Sequence, residues 1–325
     1  MQVTSNPEKW CAVVNSFAAS SKAMASWSKA EECLGSDGIP YEALFTGEAG
    51  NARALSYEAC RSGCRRLIAV GGDGTVHDVL DGIMSYIDDE SSVSLDEFTL
   101  AVLPVGSGND WIKTSGVPND IVKAAALFSS GRISRQDVVK VTVLDPSSLP
   151  QQKAVKVSYM ANVGGIGLDA HVCTRVNEAK IKGKSGKMLY INALIYNLIH
   201  RVPSSATVLC DQDEIFSGSY ISMAFGIGKY SGGGMRQTPD ALPDDGLLDM
   251  TIIPDLPLLK LAKEAPKLLN GKLRTVKEVT FSKGKTYLVL PDKGAPVPVE
   301  VDGEVIGEAP VRFEVLEQQL NILVP

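Results

Sequence analysis

Four short motifs hold the residues of this sequence whose types and spacing could do chemistry. The first, Gly71-Gly72-Asp73-Gly74-Thr75, follows the apolar run Leu67–Val70 and precedes a helix-like stretch. Glycines let a backbone turn sharply and approach a ligand closely, and a following helix N-terminus aims N–H groups at anionic oxygens, so this pattern suits phosphate. Asp73 is the odd member. A carboxylate beside phosphates repels them unless a divalent cation or a transferable proton lies between, which points to Mg²⁺ or a reacting hydroxyl. The second motif, Leu103-Pro104-Val105-Gly106-Ser107-Gly108-Asn109-Asp110, also follows a strand-like run. Two such loops on neighbouring strands make a phosphate-binding crevice, with Ser107 and Asn109 as donors and Asp110 as a further carboxylate. The third is the cluster Asp240, Asp244, Asp245 and Asp249, which has the hard oxygen ligands that Mg²⁺ or Ca²⁺ prefers and reads equally as a solvated acidic loop. The fourth, Asp302-Gly303-Glu304, sits in an apparent hairpin turn, where the residue types are a turn signal as well as a pair of carboxylates.

The elements that must position these residues change character along the chain. Up to about residue 132, strand-like runs (Trp10–Val14, Arg66–Val70, Phe98–Leu103) alternate with helix-like segments near 21–34, 50–63 and 75–87. That alternation predicts a doubly wound parallel sheet with helices on both faces, a fold that binds ligands at loops after the strands' C-terminal ends. From Ile133 the runs are shorter and rich in β-branched residues: Val138–Val143, Ala154–Tyr159, Val276–Phe281, Tyr287–Leu290 and Val297–Val301. They predict an antiparallel β-rich second domain over 133–325, with the final strand near 315–325 a candidate to return to the first domain (1–132).

With 325 residues, 44% apolar and 22% charged, the chain can bury two ordinary cores. Its formal charge of -6 gives no whole-chain attraction for nucleic acid. The cysteines at 11, 33, 60, 64, 173 and 210 show no paired metal spacing and read as reduced thiols of a cytoplasmic protein. The sequence has no signal-like start and no apolar run of the ~18 residues a membrane span requires, so a lipid partner would be met at the membrane surface. Two basic stretches, Lys180 to Lys187 and Lys260 to Lys277, could meet anionic headgroups but read first as solvated faces. The apolar run Met188–Ile199 reads as a packed core helix ahead of a membrane-lying one, with the lining of an acyl-chain pocket as a further alternative. Gly165-Ile166-Gly167-Leu168-Asp169-Ala170 mimics a dinucleotide fingerprint, but lacks a clear acidic residue about 20 residues on. Gly183-Lys184-Ser185 mimics the end of a Walker A loop without its first glycine.

In order and spacing, the loops Gly71–Thr75 and Leu103–Asp110, the runs Gly232–Met235, Pro239–Ala241 and Asp244–Asp249, and the closing Val301–Glu304 resemble the diacylglycerol kinase catalytic-domain family. That family includes soluble bacterial lipid kinases and the related sphingosine and ceramide kinases. The resemblance implies a Rossmann-like nucleotide-binding domain shared with NAD kinases, a β-rich sandwich second domain, and ATP and a lipid hydroxyl meeting in the cleft between them. Carried over residue by residue, Gly71, Gly72, Gly74 and Thr75 would cradle phosphates while Asp73 joins a Mg²⁺–water network. Thr46 matches a position near the nucleotide. Asp302 would act as general base with Glu304 beside it, and Asp244, Asp245 and the Leu247 carbonyl would hold a structural Mg²⁺. The chain departs from the pattern at Asn15-Ser16-Phe17-Ala18-Ala19-Ser20-Ser21-Lys22, where the family has a glycine-bearing phosphate loop; Asn15, Ser20 and Ser21 remain as donors. His77-Asp78 replace the usual Asn-Glu, Ser107 replaces a Thr, and His77 reads as a helix-surface or packing residue. The resemblance implies a peripheral, transient contact with membrane lipid and leaves a homodimer open. The alternatives are an NAD kinase-like enzyme and a non-catalytic nucleotide- or lipid-binding descendant.

Overall fold

The computed structural model describes residues 9–18, 22–47, 51–106, 108–148, 151–181, 187–201, 203–292 and 296–325. Their contacts divide the chain into Met1–Asp137 with Gln318–Pro325, and Val138–Glu317.

In the first unit, β1 (Trp10–Val14), α1 (Lys22–Ser36), β2 (Tyr41–Phe45), α2 (Ala52–Arg61), β3 (Arg66–Gly71), α3 (Asp73–Asp89) and β4 (Thr99–Pro104) alternate as the pattern predicts. Short helices α4 (Asp110–Ser115), α5 (Ile121–Ala125) and α6 (Leu127–Ser130) lead to β5 (Arg132–Gln136). The sheet order is β2, β1, β3, β4, then the late strand Leu320–Val324, then β5. All pairings are parallel except that of Leu320–Val324 with β5. β1, β3 and β4 are unbroken apolar runs because they are buried almost throughout, as strands covered on both faces must be. The helices α2 and α3 pack on each other, and α1 packs on α5. After β2 the chain crosses to the other side of β1 to form β3, so the loops after β1 and β3 diverge at a topological switch point, where open α/β sheets bind ligands.

The second unit is one antiparallel sheet of eleven strands. It comprises β6 (Val139–Leu144), β7 (Ala154–Met160), β8 (Val163–Gly167), β9 (Ser204–Cys210), β10 (Asp213–Gly226), β11 (Leu248–Pro254), β12 (Thr280–Gly284), β13 (Thr286–Pro291), β14 (Pro298–Val301), β15 (Glu304–Glu308) and β16 (Val311–Val315); Leu320–Val324 is β17. Helices α7 (Leu168–Ile181) and α8 (Lys187–Ile199) follow β8, and α9 (Leu258–Glu264) and α10 (Pro266–Asn270) follow β11. The sheet runs β15, β14, β8, β10, β9, β13, β16, β6, β7, with β11 and β12 branching from β10. It curls into a nearly closed sandwich around Val141, Met160, Ile166, Met223, Phe225, Tyr287 and Phe313. Phe225 stacks on Phe313 at 4.3 Å and meets Tyr287 edge-on at 5.4 Å.

Two expectations change, and the exclusion of the dinucleotide mimic gains a structural reason. The strand expected over Val276–Phe281 starts only at Thr280; before it Leu273–Thr275 is a 3₁₀ turn, and Leu273, Val276 and Val279 form a small apolar cluster instead of alternating across a sheet. Gly165 and Gly167 lie inside β8, not in a turn before a nucleotide site, and a Cβ on Gly165 would lie 2.7 Å from Asp169 Cβ and 2.8 Å from Glu300 Oε1. Met188–Ile199 is only half packed, with Met188, Ile191, Ile195 and Ile199 exposed. Among the described residues no helix is long and apolar enough to cross a membrane.

Candidate active site

In the first unit the candidate residues gather at the C-terminal ends of β1 to β4. The chain leaves β3 through Gly71 and Gly72 and enters α3 at Asp73, so the outward-pointing amides of that helix's first turn lie at the loop. The glycines are demanded by close approach as well as by any ligand. A Cβ on Gly71 would stand 2.1 Å from Thr75 Oγ1, and one on Gly106 would stand 2.3 Å from Asn109 Oδ1 and 2.8 Å from Gly72 Cα. The two glycine loops are therefore packed against each other, backbone on backbone.

A polar frame supports them. Asn15 Nδ2 donates to Thr75 Oγ1 at 3.0 Å, and the Ser16 amide donates to buried Thr46 Oγ1 at 3.1 Å. The loop after β1 is thus fastened to the first turn of α3 and to the residue following β2 without the family's glycines. Asn109, in the left-handed region at φ 50°, donates to Gly106 O at 2.9 Å and Asn119 Oδ1 at 2.7 Å, while its buried Oδ1 meets no hydrogen-bond donor among the described residues. Asp73 Oδ1 accepts the Trp111 amide at 2.9 Å. Its Oδ2 and Asp110 Oδ2 converge on Gly108, 3.1 and 4.0 Å from where a Cβ there would sit. Asp73 Oδ2 beside two glycine loops and a position with no side chain fits a hydrated Mg²⁺ carrying phosphate oxygens, whereas Asp110 already has a counter-charge in Lys113, whose Nζ also donates to Gly108 O at 3.0 Å. Ser107, Ser20 and Ser21 lie outside the described residues, as do Lys182 to Ser185 and the side chains of Lys180 and Lys187. His77 is buried, 3.8 Å from Asp81, so it packs within the helix layer and is not a surface residue.

In the second unit Asp302 and Gly303 form the two-residue turn between β14 and β15, with φ 51° and 91°. Positive φ at both positions is what the hairpin's twist requires and what Asp-Gly tolerates. The turn throws the Asp302 carboxylate against the link between β7 and β8. Its Oδ2 accepts the Ala161 amide at 2.8 Å, and its Oδ1 accepts those of Asn162 at 2.9 Å and Val163 at 3.2 Å. Buried Glu300 holds the turn from below through the Gly303 amide at 2.8 Å, and Asn177 Nδ2 reaches Gly303 O at 3.1 Å and Glu304 Oε2 at 3.4 Å.

The acidic loop looks different from its sequence. Lys283 Nζ lies 2.8 Å from Asp245 and 3.0 Å from Asp249, and Asp245 Oδ1 accepts the Leu247 amide at 3.1 Å. Asp240 pairs with Arg274. Burial pushes the Asp249 carboxyl up, and Lys283 opposes that shift. Lysine already supplies the counter-charge here, and among the described residues no three His, Cys, Asp or Glu side chains stand together as a metal cage. The side chains present do not by themselves make a cation site at Asp244 and Asp245.

Sequence reasoning missed one buried network. Asp169 accepts from Ser222 Oγ and from Gln237 Nε2 at 2.7 Å, while Gln237 O accepts Thr251 Oγ1 at 2.7 Å. Desolvation pushes the Asp169 carboxyl up, partly offset by those two donors. The signal was an acid directly behind the glycines of β8. Asn162 opens the stretch to Asp169 that the family resemblance places along the cleft; its Nδ2 donates to Tyr230 O at 2.9 Å, and its buried Oδ1 meets no donor among the described residues.

Residues 9–141 match the diacylglycerol kinase catalytic domain, and residues 162–324 match the YegS C-terminal NAD kinase beta sandwich-like domain. The chain is 26% identical over 288 residues to a protein of Xanthomonas euvesicatoria named "Probable lipid kinase YegS-like", covering 89% of this chain and 88% of that one. A protein of the same name from Stenotrophomonas maltophilia is 27% identical over 290 residues, with 89% and 88% covered. In fold, the chain matches the crystal structure of a diacylglycerol kinase from Bacillus anthracis with a TM-score of 0.73 at 23% identity, covering 99% of this chain and 98% of that one.

Proposed function

The chain belongs to the diacylglycerol kinase catalytic-domain family, and on that premise we propose that it is an ATP- and Mg²⁺-dependent lipid kinase. The acceptor is a lipid hydroxyl, with diacylglycerol or a related glycerolipid favoured. The observation that carries the reading is the placement of the Asp73 carboxylate at the head of α3, 3.1 Å from where a Cβ on Gly108 would sit, beside two interlocked glycine loops. A dinucleotide site would use the glycines and the helix N-terminus but has no use for a carboxylate among phosphates. Bound Mg²⁺ would neutralise charge on the transferring phosphate.

The chain's own residues do the rest. Backbone amides of Gly71 to Thr75 hold the β- and γ-phosphate oxygens, and Asn15 and Thr46 fix the shape of the loop after β1. Asp302 takes the proton of the lipid hydroxyl as that oxygen bonds to the γ-phosphorus and the bond to the ADP oxygen breaks. Glu304 and Asn177 steady the turn that carries it. Because its oxygens accept three amides, Asp302 presents its carboxylate in one fixed orientation.

The test is transfer of radiolabel from γ-labelled ATP to diacylglycerol, phosphatidylglycerol, sphingosine and undecaprenol in mixed micelles, with NAD as a fifth acceptor and Asp73→Ala as control. Label in one lipid that vanishes in the control supports the reading and names the acceptor. Label in NAD alone replaces it with an NAD kinase. ATP binding with no transfer to any acceptor points to a binding protein.

A further inference from the structure

The helix α8 turns two apolar faces in different directions. Leu189 and Ala193 pack with Val172 and Val176 of α7. On the other side Met188, Ile191, Ile195 and Ile199 are 64, 43, 51 and 55% exposed. Their spacing of three, four and four residues sets them on one line along the helix, about 16 Å long. Arg201 Nη2 donates to Leu256 O at 2.9 Å, which ties the end of α8 to the start of α9, where Leu258 and Leu259 are also exposed. Scattered exposed apolar residues are ordinary, whereas a continuous line of them marks a docking face.

Charge decides what docks there. Residues 187–201 contain a Lys, a His and an Arg but no Asp or Glu, on a chain of formal charge -6. Arg175 lies over the ring of Tyr196 at 3.6 Å, and His200 stacks on the same ring at 4.2 Å. Lys263 is exposed on α9. Asp255, between α8 and α9, is held by Arg201 at 3.7 Å. An apolar line on a helix without Asp or Glu, bordered by a cation-capped tyrosine and with the carboxylate at its α9 end paired to Arg201, is the chemistry of a helix lying in the boundary between anionic headgroups and acyl chains. We infer that α8, with the start of α9, seats the protein on an anionic lipid bilayer. The choice of a bilayer over a protein partner rests on the lipid-kinase reading.

The experiment is co-sedimentation of the full chain with vesicles of equal parts phosphatidylglycerol and phosphatidylcholine, and with phosphatidylcholine alone. The variants are Ile195→Glu, Ile191→Glu/Ile195→Glu and, as a control on the same unit, Val155→Glu at another exposed apolar residue. The parent should prefer the anionic vesicles, and Ile195→Glu should weaken that binding by at least about tenfold, the consequence of withholding one buried isoleucine side chain. Val155→Glu should bind like the parent. Ile195→Glu should also lose phosphorylation of diacylglycerol in vesicles while keeping that of a short-chain diacylglycerol dissolved as monomers. Vesicle binding by Ile195→Glu equal to the parent's overturns the inference. So does loss of turnover on the dissolved substrate with vesicle binding kept, which makes the line part of an acyl-chain pocket. A parent dimer that becomes a monomer in Ile195→Glu, with vesicle binding unchanged, assigns the face to a second copy. If the parent phosphorylates no lipid, the kinase reading fails while the sedimentation result still decides the docking face.

Discussion

Replacing Asp302 with Asn tests the catalytic and architectural roles of this carboxylate together, and the structure says how far apart they lie. The carboxylate accepts three amides, two on Oδ1 and one on Oδ2. An amide side chain has one oxygen. Placed to keep Asn162 and Val163, it turns its NH₂ toward the Ala161 amide, donor against donor. Two charge-assisted bonds become neutral, and one N–H group loses its acceptor, for a combined cost of about 3 kcal/mol. For a unit the size of Val138–Glu317, this lowers the melting temperature by roughly 6–12 °C. Loss of a general base lowers turnover by about 10²–10⁴-fold, measured well below the variant's melting point, with the ATP dissociation constant unchanged. Scanning calorimetry reads the first effect and label transfer the second. A melting temperature within about 2 °C of the parent's would refute the amide anchor. Turnover within about threefold of the parent's would remove Asp302 from the chemistry.

Gly106→Ala should raise the ATP dissociation constant and destabilise the protein by about 1–3 kcal/mol, because the new Cβ meets Gly72 backbone that cannot move aside. Gly72→Ala, whose Cβ would stand 3.3 Å from Gly106 Cα, should do less, and isothermal titration that ranks them the other way would defeat the packing argument. Asp169→Asn removes a carboxyl whose folded-state pKa is raised by burial. A raised acid contributes stability that is full below its unfolded value near ~3.9 and lost as pH rises through the folded one. The parent's stability should therefore fall relative to Asp169→Asn from about pH 4 upward, and parallel urea midpoints across that range would contradict it. If Mg²⁺ binds at the acidic loop in spite of Lys283, it should raise the parent's melting temperature and leave Asp245→Ala unmoved, whereas equal shifts in both would place the metal elsewhere.

Legibility in the sequence followed burial. β1, β3 and β4 declared themselves because strands covered on both faces must be continuously apolar, whereas β2, Tyr-Glu-Ala-Leu-Phe at the sheet edge, is only half buried and carries no such run. The glycine loops were legible because few backbones tolerate that composition. The partners of Asp302 were not, since Ala161 to Val163 contribute only amides, which no side-chain pattern reveals. The acidic loop was misleading in a similar way: Lys283 stands 38 residues beyond Asp245 and reaches it only through the pairing of β11 with β12. The apolar composition of α8 could not distinguish its packed face from its bare one, because Leu189 and Ala193 on the one are as apolar as Met188, Ile191, Ile195 and Ile199 on the other.

The strand Leu320–Val324 sits between β4 and β5 of a unit whose other strands are all made before residue 137. On the ribosome, the whole of Val138–Glu317 is synthesised while that gap stands open, at ~5–20 residues per second. For that interval β4 presents a bare apolar edge, the kind that pairs with another chain. A fragment ending at Asp137 would hold that state permanently, so the nucleotide-binding unit should be produced alone only with residues 318–325 restored through a short linker.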